Sequence, residues 1–118
     1  MHEMSYVVRF VNQALETAKE HHAGRVLSLH VDVGEMTGIE DEFLQRYYVT
    51  ACKGTILEGS SLTITHIPIR AVCDNCQCEY HPDKEHDYLC PSCHSGRCHI
   101  TEGRGATLRQ IKMESEDE

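Results

Sequence analysis

Between Met4 and Ala18, the apolar residues Met4, Val7, Val8, Val11, Ala14, Leu15 and Ala18 recur at helical spacing. Steps of three and four place them on one stripe of a helix. The pattern predicts an amphipathic helix over about 4–22, with Ser5 as its N-cap and Gly24 as its stop. In RVLSLHVDVG, Leu27, Leu29, Val31 and Val33 alternate with Ser28, His30 and Asp32, which predicts a half-buried strand over about 25–34. The stretch GEMTG then reads as a loop. Helical spacing returns at Phe43, Leu44, Tyr47, Tyr48 and Ala51. The acids Glu40, Asp41 and Glu42 suit that helix's positive start, and Lys53-Gly54 suits its end. Leu62, Ile64 and His66 alternate against Thr63, Thr65 and Ile67, a second strand that Pro68 limits to an edge. A last strand is expected near 106–113, around Leu108 and Ile111, followed by the acidic tail ESEDE.

Two strands alone make a marginal sheet, so the late strand should return to pair with the first two. The expected fold class is therefore α+β: two helices on a small three-stranded sheet, with a zinc-ribbon-like four-cysteine unit inserted. The domain division expected is 1–69 with 103–118 for the helix-bearing part, and 70–102 for the insertion.

The insertion is marked by its cysteines. Of seven in the chain, six lie between Cys73 and Cys98, and only Cys52 lies outside. The run CDNCQCEYHPDKEHDYLCPSC is C-x2-C, thirteen residues, then C-x2-C. Two residues between thiolates let one tight turn aim both sulfurs at one ion. Two such turns make a tetrahedron of Cys73, Cys76, Cys90 and Cys93. Four soft thiolates favour Zn(II), and a closed four-sulfur site leaves no position for substrate, so the role expected is structural. The ion would add on the order of 10 kcal/mol or more to the folding of a segment poor in apolar residues. Cys78, His81 and His94 lie close by, as solvated neighbours or as groups that exchange with a ligand when conditions change. Cys98 reads as a free thiol.

Charge and composition narrow the function classes. The net charge is -8, from 19 acidic and 11 basic residues, which opposes phosphate binding and hence nucleic acid. Between Cys73 and Cys93 there are five acids, one lysine and no arginine. No run is long and apolar enough for a membrane span, and the start lacks the pattern of a signal peptide, so the expected location is cytoplasmic. No nucleophile-base constellation and no phosphate-cradling loop stands out, so the chain is not expected to be an enzyme.

The first three residues, MHE, allow two readings. One is an ordinary polar lead-in to a helix. In the other, the Met1 amine, the His2 amide and imidazole, and the Glu3 amide form adjacent chelate rings. That square-planar nitrogen set suits Ni(II) or Cu(II).

Taken together, MHE at the start, VGEMTGIEDEFL, the KGT…EGSSLTI stretch and CDNC…CPSCHS make the chain resemble the hydrogenase maturation nickel metallochaperones of the HypA/HybF family. The resemblance covers nearly the whole length. It implies delivery of Ni(II) to the large subunit of [NiFe]-hydrogenase, together with a nickel-binding GTPase, and in some members service to urease. It implies nickel binding at the N-terminus through His2 with Glu3 contributing, and a structural zinc unit set apart. It also implies an acidic residue near nickel downstream of the GE glycine; here VGEMTGIEDEF offers Glu40, with Asp41 beside it. Cys78, so close to the first cysteine pair, departs from the family's pattern.

Two other functions fit parts of the chain. A zinc-ribbon module acting on nucleic acid or transcription machinery would share the cysteine spacing but needs basic residues around it. A CxxC redox protein would normally carry one pair at a helix start rather than two.

Overall fold

The computed structural model describes residues 3–115. In chain order the elements are α1 (Glu3–Glu20), β1 (Ala23–Gly34), a 3-10 turn (Glu35–Thr37), α2 (Asp41–Cys52), β2 (Ser61–Ile67), β3 (Arg70–Cys73), β4 (Glu79–Tyr80), a second 3-10 turn (Lys84–His86), β5 (Cys98–Glu102) and β6 (Ala106–Ser115). They form two compact units. One comprises 1–32, 39–65 and 106–118, and the other 33–38 with 66–105.

The first unit is the expected α+β arrangement. Its sheet has the order β2-β1-β6, so the late strand returns to β1 and β2 is an edge. Ile67 closes β2 just before Pro68, which has no amide to continue the ladder. The stripe of α1 buries Val7, Val11, Ala14 and Ala18 as expected, and Phe10 beside them, whereas Met4 and Val8 stay exposed; the helix packs on α2 and β6. From α2 come Leu44, Tyr48 and Cys52; from the sheet come Val26, Leu29, Val31 and Leu62. The Tyr48 hydroxyl meets Ser60 Oγ at 2.6 Å, so the ring is buried without stranding its polar end. Arg9 reaches across from α1 and donates to the Ala106 carbonyl. Asp32 receives Arg109 Nε at 3.2 Å, pairing β1 with β6 through side chains as well as backbone.

Three local expectations are corrected. First, α1 already includes Glu3, so Ser5 lies inside the helix and does not cap it. Second, the helix ends at Glu20 and the left-handed position after it is His22 (φ 54), while Gly24 belongs to β1. Third, the alternation in β1 does not extend back to Leu27, which is 39% exposed, whereas Val26 is fully buried. Val26 donates its amide to Ile56 O at 3.0 Å, so the start of β1 is set by the 53–60 turn and its burial phase switches before Leu29.

The second unit is built on a small sheet of order β4-β3-β5. Its core is Ala71, Cys73, Tyr80 and Cys90, with Cys78, Cys93, Cys98 and Ile100 packed against them. Residues 33–38 join it through backbone contact. Gly34 N donates to Gly105 O at 2.8 Å, and Met36 N donates to Gly103 O at 2.9 Å. A Cβ on Gly34 would lie 2.4 Å from Gly103 O, so only glycine allows this approach. Glu35 completes the tie: its Oε1 accepts from Ile69 N at 2.9 Å and contacts His81 Nε2 at 2.8 Å. The VGE stretch thus has a physical reason for both of its last two residues.

Candidate metal centre

The four cysteines of the two C-x2-C pairs converge. Their sulfurs all lie within 4.8 Å of one another. Cys73 ends β3 and is buried; Cys76 follows in an exposed turn; Cys90 is buried and Cys93 half-buried. The two turns repeat the same hydrogen bonds. Cys73 N donates to Cys78 O and Gln77 N donates to Cys73 O, each at 2.9 Å. Cys90 N donates to Ser95 O at 3.1 Å, and His94 N donates to Cys90 O at 2.8 Å. Gln77 and His94, each directly after the second cysteine, adopt φ 67 and φ 64. Each turn is a knuckle closed by backbone bonds on both sides of its first cysteine.

The geometry fits a tetrahedral ion. Cys73 Sγ lies 3.6 Å from Cys93 Sγ, and Cys76 Sγ lies 3.6 Å from Cys90 Sγ. A zinc–sulfur bond of about 2.3 Å gives a tetrahedral edge of about 3.8 Å. The acid-base chemistry agrees. Cys93 is drawn down to about 6, first by the Asn75 side chain and then by the Ser95 backbone. Cys76 gains one lowering hydrogen bond from the Cys78 backbone, but desolvation and the thiols of Cys90, Cys93 and Cys73 push it up to about 12. Four sulfurs this close cannot all ionise without a cation among them. A divalent ion removes that conflict, and the donor set is the one zinc prefers.

The knuckles also place the neighbouring residues. Cys78 corresponds to Ser95: both supply the carbonyl that closes a knuckle. The Cys78 sulfur accepts from Ser92 Oγ at 3.5 Å. His94 occupies the left-handed turn position. His81 turns to Glu35, 46 residues away. Asn75 Nδ2 donates to Cys93 Sγ at 3.4 Å, from the first knuckle to a sulfur of the second. Sequence reasoning missed Asn75, and it missed the turn positions because Gln77 and His94 are not glycines.

Of the N-terminal set, Met1 and His2 lie outside the described residues. Glu3 is in the first turn of α1 and only 5% exposed. Its carboxylate accepts a hydrogen bond from the Glu40 backbone. The Glu40 side chain is exposed at the N-cap position of α2 and makes no capping hydrogen bond. Asp41 opens the helix, where its charge suits the positive end. The starts of the two helices therefore meet through Glu3 and Glu40. No helix among the described residues is long and apolar enough to cross a membrane.

Known proteins match along the whole chain. A family model described as "Hydrogenase/urease nickel incorporation, metallochaperone, hypA" matches residues 1–113. A hydrogenase maturation factor HypA of Methanocella arvoryzae is 38% identical over 117 residues, which cover 97% of this chain and 99% of that protein. A hydrogenase maturation factor HybF of Salmonella typhimurium is 28% identical over 114 residues, covering 97% of this chain and 100% of that one. The solution structure of the Ni metallochaperone HypA from Helicobacter pylori superposes with a TM-score of 0.73 at 24% identity, over 98% of this chain and 100% of that chain. At that identity the superposition establishes a shared fold.

Proposed function

Because the chain belongs to the HypA family of nickel metallochaperones that serve hydrogenase maturation, we propose that it carries Ni(II) at its N-terminus and hands it to a [NiFe]-hydrogenase large subunit. The observation that carries this reading is the family match, which runs from residue 1 to residue 113. The ligands are the Met1 amine, the His2 amide and imidazole, and the Glu3 amide, a nitrogen set that suits Ni(II) better than Zn(II). Glu40 is the acidic neighbour of that end, which the hydrogen bond between its backbone and Glu3 supports. The helix-bearing part, 1–69 with 103–118, is the nickel-binding part, and 70–102 is the zinc-binding part. Zinc sits on Cys73, Cys76, Cys90 and Cys93 as a structural ion, with Asn75 supporting Cys93.

The chain acts by binding and transfer, in the cytoplasm, and not as an enzyme. Its partners are a nickel-binding GTPase and the hydrogenase large subunit; urease is a further client in keeping with the family's description. The zinc-ribbon alternative is disfavoured by the net charge of -8.

The test is genetic. In a cell lacking its own HypA-family protein, this chain should restore hydrogenase activity at limiting nickel, and His2→Ala should not. Restoration by His2→Ala at wild-type level would overturn the nickel assignment.

A further inference from the structure

Cys98 is outside the four-cysteine group, yet the sheet sets it against one of the four. In the pairing of β3 with β5, Cys73 and Cys98 are direct partners. The next pair along, Asp74 and Arg97, carries a ladder bond, with Asp74 N donating to Arg97 O at 2.9 Å. The amide of Cys73 points the other way, to Cys78 O. Hydrogen-bonded and non-bonded pairs alternate along an antiparallel ladder, so Cys73 and Cys98 form a non-bonded pair. In such a pair the Cα atoms are about 4.5 Å apart and the side chains share one face, within the roughly 4.4–6.8 Å span of a disulfide. Both side chains belong to the same packed cluster. Cys73 is buried, whereas Cys98 is half-buried and open to a small oxidant.

We propose that Cys98 is the oxidisable thiol of a zinc-release switch, with hydrogen peroxide as the oxidant and Cys73 as its partner. The Cys98 thiolate attacks one peroxide oxygen. A sulfur–oxygen bond forms, the oxygen–oxygen bond breaks, and water leaves after taking a proton. The Cys73 thiolate then leaves the metal and attacks the sulfenic sulfur of Cys98. The disulfide forms, the sulfur–oxygen bond breaks, and the oxygen leaves as a second water. The two thiols lose two electrons and the peroxide gains two. With Cys73 held in the disulfide, only Cys76, Cys90 and Cys93 would remain to hold the ion, and a closed site built for four thiolates would bind zinc far more weakly. A thiol reductant reverses the change.

This rests on zinc being held by the four cysteines, so zinc content is measured first. Zinc-loaded full chain is then treated with hydrogen peroxide, zinc release is followed with a chromophoric indicator, and cross-linked peptides are mapped by mass spectrometry. The expected product joins Cys73 to Cys98, and dithiothreitol with added zinc restores the metal. Cys98→Ser should load zinc fully, give no such peptide and release zinc about tenfold more slowly, since only metal-bound thiolates, Cys78 and the buried Cys52 remain. Cys78 packs against the same cluster, so Cys78→Ser is the control: it should still give the Cys73–Cys98 peptide and release zinc as wild type does, and slowed release there would overturn the assignment to Cys98. A chain that never carried zinc fails the zinc reading. Full zinc content with wild-type release from Cys98→Ser, or a cross-link confined to the four ligands, overturns the switch alone.

Discussion

Gly34→Ala isolates steric approach from backbone conformation. Gly34 has φ -72 and ψ 142, an extended geometry that alanine adopts freely. The obstacle is contact. An added Cβ would stand 2.4 Å from Gly103 O, 2.5 Å from Gly103 C and 2.6 Å from Gly105 O. Those atoms are backbone, so no rotamer change relieves them. The segments must separate by about 1 Å to restore ordinary van der Waals contact. That retreat breaks the Gly34–Gly105 and Met36–Gly103 hydrogen bonds, at 2.8 and 2.9 Å. Each contributes about 1 kcal/mol, and overpacking adds about 1–3 kcal/mol, so the substitution should cost about 3–5 kcal/mol. Gly38→Ala is the control. Gly38 has φ 67 and nothing within 4 Å of a Cβ, so only the left-handed conformation is penalised, by about 1–2 kcal/mol. Urea unfolding of the zinc-loaded protein gives both costs, and amide exchange should locate the larger one at residues 33–36 and 103–105. A Gly34→Ala cost no larger than that of Gly38→Ala would refute the close-approach argument.

Zinc binding should weaken in acid, with a proton dependence that steepens below about pH 6. Above that pH Cys93 is already a thiolate and Cys76, pushed up to about 12, sheds a proton on binding; below it Cys93 must shed one as well. Competition against a chelator of known pH dependence measures the slope, and a constant slope through pH 6 would contradict this. Stripping zinc should speed amide exchange across residues 66–105 while α1 and α2 stay protected; a metal-free cysteine unit that remains protected would refute a structural ion. Tyr48→Phe removes the hydroxyl that meets Ser60 at 2.6 Å and should cost about 1 kcal/mol in chemical denaturation, with no change in zinc content.

The helices, the three-stranded sheet and the four cysteines were legible because each rests on short-range periodicity or spacing. Val7, Val11 and Ala14 announce a helix face, though the buried Phe10 went unread, and C-x2-C announces a turn with two sulfurs. The strands β3, β4 and β5 were not legible. They hold four, two and five residues, and their cohesion comes from cysteine convergence rather than an apolar alternation. The Glu35–His81 contact joins residues 46 apart, which no local pattern encodes. Leu27 misled for a related reason: the tertiary bond from Val26 to Ile56 overrode strand alternation at the start of β1. His22 took a left-handed turn that propensity would assign to the neighbouring Gly24.

The most direct test of the nickel account is a titration of Ni(II) into the zinc-loaded protein with its native N-terminus, beside His2→Ala and a form extended by one residue before Met1. The account predicts one tight nickel per chain in the wild type, loss of that binding in His2→Ala and weakening in the extended form, with zinc content equal in all three. Equal nickel affinity in all three would contradict it and leave MHE as the lead-in to α1.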